Sequence, residues 1–209
     1  HWASLDEALK DESFDAVYIA TPVALHAPQT VTALAASRHV LCEKPVALRY
    51  EDAKVMAAAA RNAGRGLGIA YYRRTYPKVG RAMELLRAGA IGQPVLAEIN
   101  CHGWFADEDG FRSWLVDPQL AGGGPLYDIA SHRIDLLNYF FGKPLRVTGQ
   151  RSNTVHSYAV EDSATVLIEY ETGVRGIVDV RWNSHAIRDQ FRIIGTDGEM
   201  VLTPLNGGS

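Results

Sequence analysis

The sequence predicts an α/β chain, with a parallel sheet threaded by helices first and an α+β part on a mostly antiparallel open sheet after it. Three observations carry this. Up to about residue 71, short apolar runs alternate with helical patterns, the order that makes a parallel sheet with right-handed crossovers. From residue 147 onward only strand patterns follow, several alternating apolar with polar residues, as in an antiparallel sheet with one covered face. Hydrophobic residues make up 47% of the 209, enough for a packed core rather than a disordered chain.

The elements follow in order. An acidic helix is expected over 5–10, directly behind His1 and Trp2. Residues 15–20 (DAVYIA) read as a strand stopped by Thr21 and Pro22. The helix over 24–37 is expected to turn Leu25, Pro28, Val31 and Ala35 inward. Residues 39–42 form the next buried strand, 50–63 an alanine-rich helix and 66–71 the third strand. At Thr75 the style changes. An amphipathic helix over 76–87 carries Val79, Met83 and Leu86 on one side, and Gly89 and Gly92 end it. A long strand spans 95–104, and the stretch 105–124 is a loop too long for plain connection in a compact domain. A helix over 126–141 is stopped by Gly142 and Pro144. Strands are expected over 147–153, 163–170, 174–182, 191–194 and 199–202. The boundary at Thr75 divides the chain into domains 1–74 and 75–209.

Composition removes several function classes. A net charge of −3 with no basic block argues against nucleic acid as a partner. No apolar run approaches the roughly 18 residues of a membrane span, and no secretory leader pattern is visible. Cys42 and Cys101 make no disulfide framework; two buried thiols suit a reducing, cytoplasmic setting. The start at His1-Trp2 and the end at Gly207-Gly208-Ser209 do not read as natural termini, so a segment of a longer protein is expected.

The residues that can carry chemistry cluster at three places. Glu43-Lys44-Pro45 directly follows a buried strand, at the carboxyl end where open α/β sheets bind ligands. Proline holds the preceding residue extended, so Lys44 points off the strand end, and a lysine desolvated there can exchange protons near neutral pH. A surface ion pair is the competing reading. At the previous strand end, Thr21-Pro22 and His26 precede a helix whose free N–H groups can receive a phosphate or ribose; a plain turn with a surface histidine is the alternative. Third, Gly122-Gly123-Gly124 leads into a helix bearing Asp128, His132 and Asp135. Asp128 and His132 stand four apart, on one face of a regular helix, so the carboxylate can orient the imidazole as a base or contact substrate. A buried histidine beside a helix-dipole partner is the other reading. Arg74 follows the third strand, beside Arg73 and the tyrosines Tyr71 and Tyr72. Arg112 and Trp114, with Trp104 and Phe111, either line a polar-substrate pocket or form the loop's own small core. No cysteine or histidine spacing fits zinc, so no metal is expected, and no Gly-x-Ser-x-Gly elbow supports a serine hydrolase.

At these residues the chain resembles the glucose–fructose oxidoreductase/inositol dehydrogenase (Gfo/Idh/MocA) family. The likeness runs through DAVYIATPVALH (15–26), HVLCEKP (39–45), the YYRR-P stretch (68–77), AGAIGQP (88–94), AGGGPLYDIASHRIDLL (121–137), VEDSATVLIEY (160–170) and IIGTDGEM (193–200). It implies a dinucleotide-binding Rossmann-type domain over 1–74, then a substrate and oligomerisation domain over 75–209 whose open sheet joins copies of the chain. It implies NAD or NADP as cofactor, and hydride transfer with a sugar, inositol or polyol alcohol. Lys44, Asp128 and His132 become the catalytic set, with His132 as base. The threonine-proline turn, Thr21 and Pro22, and Glu43 line the cofactor beside Lys44; on their positions in the sequence His26 and Pro45 are expected to join them, and Arg74, Arg112 and Trp114 to line the substrate. Two rivals belong to the same fold: a glycoside hydrolase or lyase using NAD transiently, and a non-catalytic binding protein. The family's Gly-x-Gly-x-x-Gly loop is not found; Gly64 to Gly68 has the wrong spacing and enters a strand. The first βαβ unit, roughly 50–60 residues, and the end of the second domain are therefore expected to lie outside this chain. Ala130 stands where a glycine is usual.

Overall fold

The computed structural model describes residues 1–106 and 110–206. Residues 107–109 of the expected loop, and the 207–209 end, lie outside the described residues. Two compact units emerge: His1–Tyr71 with Gln119–Gly122, and Tyr72–Pro118 with Gly123–Ser209.

The first unit is a three-stranded parallel sheet of β1 (Ala16–Ile19), β2 (His39–Cys42) and β3 (Leu67–Ile69), in the order β1-β2-β3. The helices are α1 (Leu5–Ala8), capped by the Ser4 hydroxyl, then α2 (His26–Ala35) and α3 (Tyr50–Ala63). Gly64 ends α3 in the left-handed region at φ 61°, a conformation that costs glycine least. Ile19, Ala33, Leu34, Val40, Cys42 and Met56 form the core.

The inner face of α2 differs from expectation. His26, Thr30, Ala33 and Leu34 are buried, while Leu25, Pro28 and Ala35 are exposed. A short 3₁₀ turn over Val23–Leu25 precedes α2 and rotates the helix relative to a continuous one. The polar His26 is accepted inside because its ring is hydrogen-bonded.

A one-turn helix, α5 (Pro118–Ala121), lies within the expected loop; in the second unit α4 (Pro77–Arg87) and α6 (Ser131–Phe141) pack on one face of a six-stranded sheet. Its strands are β4 (Pro94–Trp104), β5 (Pro144–Ser152), β6 (Ser163–Tyr170), β7 (Arg175–Arg181), β8 (Asn183–Gly195) and β9 (Glu199–Leu202). Their order is β5-β6-β7-β4-β8-β9; β4 runs parallel to β7, and every other pair is antiparallel. Alternation puts Val166, Ile168 and Tyr170 of β6 and Val178 and Val180 of β7 against Leu136, Leu137 and Phe141 of α6.

Two further expectations are corrected. β8 begins at Asn183, well before 191: Asn183 pairs with Trp104 of β4, and Arg188 and Asp189 pair with His102 and Cys101 across an irregularity, with no run of alternating apolar residues to announce it. The helix expected over 126–141 is not uniform. A π-helical turn covers Leu126–Ala130, and only from Ser131 does the α-helix run.

Candidate active site

In the first unit the chemistry lies at the carboxyl ends of β1 and β2. The Glu43 N–H bonds the Ile19 carbonyl at 2.9 Å, which places the residues after β2 beside those after β1. Glu43 accepts the Tyr18 hydroxyl on one carboxylate oxygen and the N–H of Lys44, at 3.1 Å, on the other. The carboxylate is thus fixed at the root of the lysine, and Lys44 is half-buried. The Thr21 hydroxyl donates to Gln29 at 2.8 Å.

His26, expected to face a cofactor, is 1% exposed. Its Nδ1 lies 2.9 Å from the Pro45 carbonyl oxygen and its Nε2 2.9 Å from that of Thr21. The ring therefore ties together the loops that follow β1 and β2. Burial pushes the Cys42 thiol up to about 11, with the Glu43 charge adding to it. The half-buried Thr21, Pro22, Glu43, Lys44 and Pro45 line adjacent parallel strand ends, the place where open α/β sheets receive ligands.

In the second unit the π-turn and α6 carry Asp128 and His132. The π-turn winds more widely than an α-helix, through i→i+5 bonds, and hands over to the α-helix at Ser131, so Asp128 and His132 stand on either side of that junction. Such turns recur at functional sites. His132 is 2% exposed, and the ring of Tyr72 packs edge-on against it. Arg112 lies at the limit of an ion pair with Asp128, 4.0 Å, and its guanidinium covers the Phe105 ring. Trp114 packs with Phe105, Leu115, Val160 and Trp182, so it serves the small core that was its second reading. Arg74 is committed to the buried Asp135 through two hydrogen bonds and lies over Tyr139. No cluster of three metal-ligating side chains occurs among the described residues.

One residue of this half was not anticipated. Glu161, 5% exposed, accepts the main-chain N–H groups of Gly124 at 2.9 Å and Leu126 at 3.1 Å, just ahead of Asp128. Its neighbour Asp162 accepts those of Thr154, Val155 and His156 on one oxygen. A buried acidic pair before a strand was the available signal, since such carboxylates must find donors.

Residues 1–71 match a family described as "Oxidoreductase family, NAD-binding Rossmann fold", and residues 79–201 match "GFO/IDH/MocA C-terminal domain". A levoglucosan dehydrogenase of Pseudarthrobacter phenanthrenivorans is 31% identical over 228 residues, covering 96% of this chain and 57% of its own. A D-xylose 1-dehydrogenase (NADP(+)) of Haloferax volcanii is 30% identical over 203 residues, covering 97% of this chain and 61% of its own. The solved aldose–aldose oxidoreductase of Caulobacter crescentus, complexed with glycerol, superposes with a TM-score of 0.88 at 29% identity, over 97% of this chain and 60% of that one. The chain thus spans about 60% of the length of the curated relatives it matches.

Proposed function

The chain belongs to the Gfo/Idh/MocA oxidoreductase family, and from that premise we propose that it is part of an NAD- or NADP-dependent oxidoreductase of a sugar, inositol or other polyol. The observation that carries the reading is the pairing of an NAD-binding Rossmann match over 1–71 with a helix start in the second unit that buries an imidazole. Bound nicotinamide would supply the hydride acceptor. The rest is the work of this chain's own side chains.

His132 takes the hydroxyl proton of the substrate, the task for which imidazole is suited near neutral pH. Lys44 holds the reacting oxygen and stabilises the charge that develops on it. Asp128, with Arg112 near it, orients substrate or base. Glu43, Thr21, Pro22 and Pro45 shape the cofactor edge, and His26 keeps the two loops together from behind. Arg74 and Trp114 act at one remove, through Asp135 and the Phe105 cluster. We further assign the two domains to 1–74 and 75–209. The cytoplasm is the proposed setting, supported by two buried free thiols. No helix among the described residues is long and apolar enough to cross a membrane.

We also propose that the protein forms a homo-oligomer through the outer face of the six-stranded sheet. That face mixes the exposed Leu167 and Val201 with ion pairs such as Arg146–Glu169 and Arg192–Glu98. Light scattering of the purified protein tests this; a monomer at all concentrations refutes it.

The activity is tested by incubating the complete gene product with a panel of sugars and polyols, with NAD⁺ and NADP⁺ in turn, and following reduced nicotinamide. Turnover with at least one alcohol is expected. Release of a glycoside's leaving group with no net reduced nicotinamide would instead identify a hydrolase or lyase, and no turnover with any substrate would defeat the reading.

A further inference from the structure

We propose that Glu161 is the positioning residue of the segment that carries Asp128 and His132: its buried carboxylate fixes where that segment begins, and so where both side chains come to rest. The inference deepens the oxidoreductase reading and rests on it. Oε1 of Glu161 accepts two N–H groups, those of Gly124 and Leu126, four and two residues before Asp128. These are donors that the start of a helical segment leaves without internal partners. A carboxyl oxygen is a strong acceptor for them, at the end of the segment where unpaired N–H groups gather.

A short relay leads from there to the site. The Gly124 N–H is held by Glu161, and the Gly124 carbonyl accepts the N–H groups of Tyr127 and Asp128, each at 3.0 Å. Asp128 is therefore two hydrogen bonds from Glu161, and His132 follows across the π-turn.

The approach leaves no room for side chains on the glycines. A Cβ on Gly124 would stand 2.0 Å from the Glu161 carbonyl oxygen, and one on Gly123 would stand 2.6 Å from the Tyr127 ring and 3.2 Å from Glu161 Oε2. Gly123 and Gly124 are thus a cradle for Glu161 rather than slack in the chain. The neighbouring backbone is anchored in turn, since Asp162 takes three main-chain N–H groups of the 154–156 loop and the Asn183 amide.

The other oxygen, Glu161 Oε2, is buried and has no hydrogen-bond partner among the described residues. Leaving a buried carboxylate oxygen unpaired is destabilising.

The test compares Glu161→Ala, Glu161→Asp and Glu161→Gln in the complete gene product. Misplacement of reacting groups by about 1 Å can cost on the order of 100-fold in rate. The expected result is a kcat at least about tenfold lower for Ala and for the shorter Asp, with the cofactor KM within about twofold of wild type. Gln, which keeps the Oε1 acceptor, should recover much of that loss. Unchanged kcat in Glu161→Ala overturns the assignment. So does a parallel collapse of kcat, cofactor KM and melting temperature, which would mark a purely structural role. A second readout needs no turnover: the imidazole resonances of His132 should move or broaden in Glu161→Ala, and unmoved resonances also overturn the proposal. A wild-type protein inactive on every alcohol, but showing that His132 response, would sink the oxidoreductase reading while leaving the positioning role in place.

Discussion

The ring of Tyr72 stands edge-on to the imidazole of His132, with centroids 5.2 Å apart and planes at 73°. Tyr72 is nearly half exposed, while His132 is enclosed, so the tyrosine covers one side of the imidazole. On Tyr72 itself sits the guanidinium of Arg73, 5.2 Å from the ring centre. The ring is thus gripped from another side and can act as a fixed wall. Edge-on aromatic contacts contribute about 0.5–1.5 kcal/mol beyond the area they bury. Tyr72→Ala should therefore lower stability by roughly that amount and free the imidazole to rotate, with turnover falling about tenfold. Tyr72→Phe keeps the wall and should retain most activity. Steady-state kinetics with chemical denaturation of both variants checks this; equal rates in Ala and wild type would remove the contact from any role.

Lys44 follows a carboxylate already held by Tyr18 and by the lysine's own N–H. The main chain there is fixed without the ammonium, so Lys44→Met should melt within a few degrees of wild type. Loss of the charge proposed to meet the reacting oxygen should cost on the order of 100-fold in kcat or more. Circular dichroism melts beside the kinetics decide it, and an unchanged rate would take Lys44 out of the chemistry.

How much of this was legible in the sequence depends on what each element uses to hold itself. β6 and β7 show in the sequence because Val166, Ile168, Val178 and Val180 alternate against one apolar face, and a period of two is visible in any window. The inner face of α2 did not, because it is set by His26 and Thr30. Apolar periodicity points to Leu25 and Val31 instead, and a polar side chain is buried only when its partners, here two distant carbonyls, are known. The early start of β8 rests on main-chain pairing of Asn183, Arg188 and Asp189 with β4, which leaves no side-chain pattern. Asp128 and His132 were legible as a pair, but the π-turn between them was not, since a single inserted residue does not disturb a short helical pattern. The acidic pair Glu161-Asp162 before a strand signals that its carboxylates need donors, but not which ones, because those of Glu161 lie 37 and 35 residues away.

Asp162 makes the fold sensitive to acid. Burial pushes its carboxyl up, but the N–H groups of Val155, His156 and Thr154 and the Ser163 hydroxyl outweigh burial and hold it below the usual range. A carboxyl lowered on folding stabilises the native chain above its unfolded value, and that contribution disappears as pH falls through the lower folded one. Stability should thus be flat near neutrality and fall below about pH 4. Asp162→Asn places an NH₂ among donors; it should lose about 1–3 kcal/mol at pH 7 and show a shallower acid slope. Urea titrations at pH 7, 5 and 3 measure both, and parallel curves for the two proteins would refute the assignment.

Neither cysteine should react in the native state. The Cys42 thiol is buried and pushed up to about 11, and burial also raises that of Cys101, with Arg133 opposing it. Only the thiolate is nucleophilic, so at pH 8 the native fraction is small and enclosed besides. A chromogenic disulfide reagent should label no thiol before denaturant and both after it. Rapid native labelling of either one would show that its enclosure opens.

Arg133, fully buried in α6 beside His132, donates to Asp189 at 2.6 Å, and its guanidinium also approaches the Cys101 sulfur at 3.6 Å. Arg73 lies close enough that burial and then the Arg133 charge lower its own proton affinity, so Asp189 faces two cations. Removing one member of a buried ion pair leaves an uncompensated charge and costs about 3–5 kcal/mol, far more than the pair gains over an apolar replacement. Asp189→Ala should therefore destabilise by roughly that amount. Because Arg133 adjoins the imidazole in sequence, turnover should fall with it. The double replacement Arg133→Met with Asp189→Leu removes both charges and should regain most of the stability, provided the guanidinium serves packing alone. Denaturation of the single and double variants separates the cases: a double variant no better than Asp189→Ala would mean that Arg133 is held for another partner, with Asn206, 3.4 Å from its other terminal nitrogen, the first to examine.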